Sequence, residues 1–291
     1  YDQGRTEGCW IYAMLACIER EQQLRGDSVT LSRQWLMSKI LEEQMDKLEI
    51  ENGKWKIENG KWEIENGKLK ISLRGVGKDV LRLIERYGLV PYSMEKSRIN
   101  NSRVLQRKLS LLLDDKSLTP QSLRKKSALL LPRFTVATHT VRINGKDTEE
   151  SSFYYYSMRY TPQQFAQSIM HWQHWHFYAT DARQPWHKSF VIDVPDNRQR
   201  HTFVNLPPEE LLDKIKRSLS KGHPVYWEIS KKADAGDSNH AMAIVALRKG
   251  RDGKARFLCL NSYGKEWGNN GYCLVTANYL MHHICNVGII E

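Results

Sequence analysis

Cys9, His240 and Asn261 of this 291-residue sequence have the types and setting for nucleophilic catalysis at a carbonyl. Cys9 follows Gly8 at the head of an apolar, helix-like run, where the amide end of a helix lowers a thiol's pKa by stabilising the thiolate. Gln3, six residues upstream, is near enough to place an amide N–H beside the sulfur. With the Cys9 backbone N–H it would make a donor pair for a developing oxyanion. His240 stands at the mouth of the apolar strand that begins at Ala241, and Asn261 ends the next strand, twenty-one residues on. Two adjacent antiparallel strands so connected bring Asn261 beside His240, where its side-chain oxygen would orient the imidazole toward the thiol. Taken alone, Cys9 reads equally as an inert buried thiol. The three groups in this order are what give it a chemical reading.

The elements that must position these groups are legible as periodic segments. Residues 8–24 read as a helix, with Trp10, Ala13, Met14, Cys17 and Ile18 at helical spacing and Glu19, Arg20 and Glu21 as its polar face. Thr30-Leu31-Ser32 leads into a second helix that runs to about Lys47. A heptapeptide repeat follows, with units beginning at Ile50, Ile57 and Ile64 and closing at Ile71. A glycine in every unit argues against a coiled coil. Asn52-Gly53, Asn59-Gly60 and Asn66-Gly67 are favoured hairpin turns, so the spacing predicts a small β-meander. A helix is expected over 78–87, further helices in the basic, Leu-rich stretch 95–132, a loop at 145–152 and a helix from Thr161 to about Ile169. Strands are expected at 189–194, 201–204, 224–229, 241–247, 255–260 and 272–276, with a helix at 208–219. Helices first and an antiparallel β-rich half second is an α+β layout with two lobes.

At this point the chain resembles the papain-type cysteine peptidases. The resemblance lies in Gln3 with Gly8-Cys9-Trp10, in Asn239-His240-Ala241, and in Asn261-Ser262-Tyr263-Gly264 followed by Trp267-Gly268 and Gly271-Tyr272. Leu31-Ser32 through Trp35-Leu36, Arg86 to Pro91, Tyr160 to Phe165, Leu206 to Leu211 and Gly222 to Trp227 resemble the bleomycin hydrolase/aminopeptidase C branch. The resemblance implies a two-lobed papain-like fold over 1–291: a helical lobe at 1–95 holding the insertion 48–72, a branch-specific insertion at 96–165, and a β-rich lobe at 166–291. It further implies Cys9 as nucleophile, His240 as base and then acid, Asn261 as the group that orients His240, and Gln3 in the oxyanion hole. Gly75, Val76 and Asn239 would contact substrate, and Tyr263 would shield the His–Asn pair. The implied activity is peptide-bond hydrolysis through a thioester, by an endopeptidase or an aminopeptidase, with no cofactor and no metal.

The sequence departs from that pattern in four places. His240 and Asn261 lie 231 and 252 residues after Cys9, against about 130–150 in the superfamily, so roughly 90 residues are inserted. Tyr263 replaces the usual shielding Trp, and Thr6 stands where papain has a disulfide cysteine. Val76 follows Gly75 in place of a second glycine, and its side chain is expected to narrow the substrate groove.

Composition bounds the alternatives. A content of 41% hydrophobic residues, with nine Trp, can bury a core and excludes a wholly disordered chain. No apolar run reaches the roughly 18 residues that a membrane span needs. A net charge of +11 raises nucleic-acid binding, but the basic cluster of Arg103, Arg107, Lys108 and Arg124 to Lys126 lacks any accompanying nucleic-acid motif and reads as a solvated helical face. The resemblance implies a peptide or protein substrate as the partner; the competing reading is a catalytically weak relative that binds a partner. His171, His174 and His176 read as an aromatic packing segment rather than a metal site, and His282-His283 as a strand-end surface pair. Cys17, Cys259, Cys273 and Cys285 read as structural, with a Cys259–Cys273 bridge open to a secreted protein. The start at Tyr1 points to a processed, exported bacterial protein, secreted or periplasmic, whereas the branch resemblance implies a cytoplasmic one. In that branch the C-terminal tail blocks the cleft; a chain that stops at Glu291, soon after its last apparent strand, points to an open one. Oligomeric state is not legible.

Overall fold

The computed structural model describes residues 2–51, 54–57, 64–65, 68–69, 71–115, 117–143, 146–230, 240–250 and 252–291. Helix α1 (Cys9–Leu24) is the axis of the helical half, with every residue from Trp10 to Glu19 buried. An apolar helix of this kind is stable only when other elements surround it. Of the expected polar face Arg20 is exposed, but the two acids are buried. Glu19 is 2% exposed and forms a two-pronged ion pair with Arg33, also 2% exposed, while accepting the Leu31 N–H at 2.7 Å. Glu21 meets His223 at 2.9 Å. Both acids are paired, which is the condition on which a buried charge is tolerated. They tie α1 to α2 (Arg33–Asp46) and to the β-rich half.

Helix α2 begins at the Ser32 cap, whose hydroxyl accepts the Trp35 N–H at 3.0 Å. Two short hairpins follow, β1 (Leu48–Glu51) with β2 (Lys54–Ile57) and β3 (Ile64–Glu65) with β4 (Lys68–Leu69). The three Asn-Gly turns of the expected meander lie outside the described residues. Helix α3 (Gly77–Tyr87) stops at Gly88. Next come α4 (Ser102–Asp114) and α5 (Pro120–Ala128), where Arg124 pairs with Asp46 and Lys126 with Asp115, so part of the basic cluster is neutralised.

Of the expected loop at 145–152, residues 146–152 are not a loop. They belong to an antiparallel pair of β5 (Ala137–Ile143) and β6 (Lys146–Tyr155), extended by β7 (Met158–Tyr160). In sequence Asn144-Gly145, outside the described residues, carries the same turn signal as the repeat, and the polar flanks Lys146 to Ser152 concealed it.

After α6 (Pro162–Ile169) the chain builds the main sheet from β8 (Trp175–Ala179), β9 (Ser189–Val191), β10 (Thr202–Asn205), β11 (Val225–Ile229), β12 (His240–Lys249), β13 (Ala255–Leu260), β14 (Tyr272–Thr276) and β15 (Ile284–Ile290). The strand order is β14-β13-β12-β11-β15-β8-β10-β9, antiparallel except for β8 with β10. Helices α7 (Pro208–Ser220) and α8 (Ala277–His282) complete the chain order. His282 and His283 end α8, so they are a helix-end pair rather than a strand-end one. Beyond the last expected strand the chain continues into β15, which lies inside the sheet.

Strand alternation sorts the two cores. Val225, Trp227 and Ile229 of β11 join Met242 and Ile244 of β12, Val287 and Ile289 of β15, and Leu211 and Ile215 of α7 in one core. Tyr226, Ala241 and Ala243 face the other way, into the core around α1. The small Ala241 and Ala243 let α1 pack closely on β12. Cys259 and Cys273 stand directly opposite each other across β13 and β14 as free thiols, as are the other three cysteines.

One glycine fixes a junction in this frame. Gly88 has φ +67°, and a Cβ there would lie 2.1 Å from the Pro162 carbonyl carbon and 2.4 Å from the Gln163 nitrogen, both backbone atoms. Gly88→Ala is expected to cost on the order of 3 kcal/mol. Thermal unfolding followed by circular dichroism checks this, and an unchanged midpoint would contradict it.

Candidate active site

Cys9 is the first residue of α1, so its N–H is one of the helix's orphan donors. A Cβ on Gly8 would come within 2.2 Å of the Met37 terminal methyl, so a larger residue before the thiol would have to displace that flexible side chain. The first turn is anchored by the Trp10 indole N–H, which donates to the Leu73 carbonyl at 2.8 Å. Gly75 lies against the same indole, where a Cβ would come within 2.7 Å of the ring. Gln44 of α2 fixes this segment from behind, donating to Ser72 O at 2.8 Å and accepting Ser72 N–H at 3.0 Å.

Gln3 is 7% exposed and held on three sides. Its backbone N–H donates to Ser262 O at 2.8 Å, its Oε1 accepts from the Ser262 hydroxyl, and its Nε2 donates to Thr6 O at 2.7 Å. The Thr6 hydroxyl returns a bond to Gln3 O at 2.8 Å. One of the two Nε2 hydrogens is thereby used, and the second is left for a ligand.

His240 opens β12, and its Nε2 lies 2.9 Å from Asn261 Oδ1. Asn261 is 3% exposed, and its Oδ1 also accepts the Ser262 N–H at 2.7 Å. Because that oxygen only accepts, the neutral imidazole carries its hydrogen on Nε2 and leaves Nδ1 as a base. The register that pairs Ala243 with Leu260 brings the two residues together. Tyr263 stacks on the His240 ring, with centroids 4.8 Å apart and planes inclined by 19°, and packs edge-on against Trp267. Its hydroxyl lies 3.3 Å from Nδ1, the nitrogen that a proton-accepting role requires.

Cys9, His240, Gln3, Gly75 and Tyr263 line one cavity of about 150 Å³. The backbone N–H groups of Ala241 and Trp10 point at the Cys9 sulfur and favour its charged form, but burial outweighs them. Burial, reinforced by the negative charges of Glu228 and Asp196, pushes the thiol up to about 12. Proton removal by a nearby base is therefore required for attack near neutral pH.

Two expected substrate contacts behave differently. Asn239 lies outside the described residues. Val76 does not narrow the groove: it is 1% exposed, belongs to the core around α1 and is not among the cavity's lining residues. Its N–H binds the Asp79 carboxylate at 3.2 Å to start α3, and that turn directs the side chain inward. Sequence reasoning missed Glu7, Arg74, Asp196 and Glu228 on the cavity wall. Glu228 left a signal, as the single charged residue in the apolar strand Val225–Ile229. Asp196 left none. Among the described residues no cluster of His, Cys, Asp or Glu could hold a metal ion, and no helix is long and apolar enough to cross a membrane.

No family model matches the chain, and no curated protein matches it. Solved structures do. The protein pepW from Lactobacillus rhamnosis HN001 is similar at 17% identity with a TM-score of 0.68, covering 100% of this chain and 79% of that one. A structure addressing antibody cross reactivity between the mite allergens Blo t 1 and Der p 1 follows at 14% identity and a TM-score of 0.46, covering 100% of this chain and 66% of that one. Xylellain, a cysteine protease from Xylella fastidiosa, gives 13% identity and 0.44, covering 100% and 81%. At such identities the likeness speaks to the fold alone, and it rests on the first of the three. The chain has a papain-like α+β fold.

Two outcomes follow from the geometry. Glu228 raises the Cys9 thiol through its charge, so Glu228→Gln should lower that pKa and speed alkylation of Cys9 by iodoacetamide at about pH 9, where the native carboxyl is ionised. An unchanged or slower rate would contradict the sign. Tyr263→Phe keeps the stacked ring and removes the hydroxyl that competes for Nδ1, so alkylation of Cys9 should be retained or faster. Tyr263→Ala exposes the His240–Asn261 bond to water and should slow it; equal rates in the two variants would dispose of the shielding role.

Proposed function

We propose that this chain is a cysteine peptidase of the bleomycin hydrolase/aminopeptidase C type, with Cys9 as nucleophile and His240 and Asn261 completing a triad. The observation that carries this reading is the 2.9 Å bond between His240 Nε2 and Asn261 Oδ1 on the wall of the same cavity as Cys9 and Gln3. In the first half-reaction, Nδ1 of His240 takes the thiol proton as Sγ attacks the scissile carbonyl. The carbonyl oxygen, now negative, accepts hydrogen bonds from the free Gln3 Nε2–H and the Cys9 N–H. The C–N bond breaks as the imidazolium gives its proton to the departing amine, which leaves a thioester on Cys9. Water then attacks with His240 again as base; the acid departs and Sγ regains its proton. Asn261 fixes the ring and favours the imidazolium between these steps. The substrate is a peptide or protein.

A catalytically weak, peptide-binding form is the second reading. It is favoured by the burial that holds the thiol high. A thiol-reactive epoxide separates the two, since stoichiometric labelling at Cys9 supports the enzyme and an unlabelled, folded protein supports the binder.

Hydrolysis of matched peptides with blocked and free N-termini tests the proposal and decides between endopeptidase and aminopeptidase. Cys9→Ala should abolish turnover, and His240→Ala should lower kcat by at least about 10²-fold. Turnover that survives Cys9→Ala would refute the assignment.

A further inference from the structure

The cavity beside Cys9 holds a carboxyl group for which the mechanism above has no use. Strand alternation turns Glu228 of β11 toward α1, and the register sets it opposite Ala241, whose N–H points at the thiol. It lines the cavity yet is only 1% exposed, so it forms part of the floor. Its Oε2 accepts from Tyr226 Oη at 2.8 Å and from Asn286 Nδ2 at 3.0 Å. Its Oε1 is buried and makes no hydrogen bond of normal geometry among the described residues, although the Gly77 backbone N–H lies near enough to favour the charged carboxylate. Among the described residues Arg74 is the only Lys or Arg on the cavity wall, and it is directed at Glu7, 3.6 Å away, and at Asp196, 3.7 Å away. The wall thus carries three carboxyl groups, Glu7, Asp196 and Glu228, against one guanidinium. A buried carboxylate with an unused oxygen and no counter-ion is costly unless a ligand supplies the missing charge.

We infer that Glu228 is a specificity-determining residue, whose carboxylate receives an ammonium or guanidinium group of a peptide bound over Cys9. The inference rests on the peptidase reading and names its substrate class. A cation on this chemistry comes either from the free α-amino group of the peptide or from a Lys or Arg side chain near the scissile bond. The cavity of about 150 Å³ admits the end of a chain or side chain, not a folded partner. Charge-assisted bonds of this kind discriminate by about tenfold or more.

Protonation adds a second signature. Burial lifts the Glu228 carboxyl to about 7, against the hydrogen bonds from Asn286 and Tyr226 that hold it down. Below that value the group is neutral and attracts no cation; above it the charge is present, so preference for a cationic peptide rises with pH. The charged and titratable groups facing it are Cys9 on α1, Asp196 in the loop before β10, Tyr226 on its own strand and Cys285 on β15. Glu7, Arg74 and His240 line the same cavity. Comparison with Glu228→Gln isolates its share from theirs.

The test measures kcat/KM for paired peptides with wild type and Glu228→Gln. One pair has a free or an acetylated N-terminus; the other has Lys or norleucine at each of the two residues before the scissile bond. In wild type at about pH 8 one cationic member should be preferred by about tenfold or more, and the ratio should fall to near one in Glu228→Gln. The pair that shows it identifies the source of the cation. Equal rates within both pairs, or a preference that survives Glu228→Gln, would overturn the inference. Should Glu228→Gln not fold, the wild-type ratio must still rise from about pH 6 to about pH 8; a flat ratio is contrary. Should no peptide be cleaved, the peptidase reading fails separately. The cation site is then judged by fluorescence anisotropy of the same peptides on Cys9→Ala. Tighter binding of a cationic peptide that disappears in the Cys9→Ala/Glu228→Gln protein supports it, and equal binding overturns it.

Discussion

The thiol and the imidazole sit on different layers, 231 residues apart in the chain, so the site depends on how the seam between α1 and β12 is closed. Two features close it. Ala241 and Ala243 present only methyl groups toward α1, which allows the helix to approach until the Ala241 N–H reaches the Cys9 sulfur. Gln3 then clasps Ser262 by backbone and side chain, which fixes the segment before the helix to the residue that follows Asn261. A displacement of about 1 Å between reacting groups can cost two orders of magnitude in rate. The clasp therefore holds Cys9 in place relative to His240 and Asn261. It also accounts for Thr6, whose bonds to Gln3 shape the turn that a disulfide would otherwise constrain.

Buried acids do two kinds of work in this fold. Glu19 with Arg33, Glu43 with Arg82 and Asp79 with His201 are paired, and each joins two different parts of the chain. They specify which surfaces meet, although the desolvation of both partners limits their net contribution to stability. Glu228 and Asp196 differ because they face the cavity and bear on the thiol. Their charges oppose formation of a thiolate. A cation bound at Glu228 would relieve that opposition, which would couple the charge of a bound ligand to the state of the thiol through one carboxylate.

Much of this was legible in the sequence because it depends on local periodicity or on the chemistry of a few residues. The Cys9 helix, the Ser32 cap, and the strands at 255–260 and 272–276 announce themselves by spacing and turn residues. The nearness of His240 and Asn261 followed from two strands and a short connection. What escaped depends on partners that spacing does not reveal. Strand β15 is buried on both faces in the middle of the sheet, so Ile284–Ile290 shows no alternation to read. Glu19 and Glu21 looked solvated because their partners, Arg33 and His223, lie on other elements. The inward turn of Val76 is set by a hydrogen bond to Asp79, and the floor of the cavity by which face of β11 meets α1.

The central claim is that Cys9 forms a covalent acyl intermediate under the control of His240 and Asn261. Intact-mass spectrometry of the protein quenched during turnover of an activated peptide ester, followed by peptide mapping, tests it most directly. The account predicts one acyl adduct per chain, located on Cys9 and absent from Cys9→Ala. No adduct in a folded protein that still turns the ester over, or an adduct on Cys17, Cys259, Cys273 or Cys285, would contradict it.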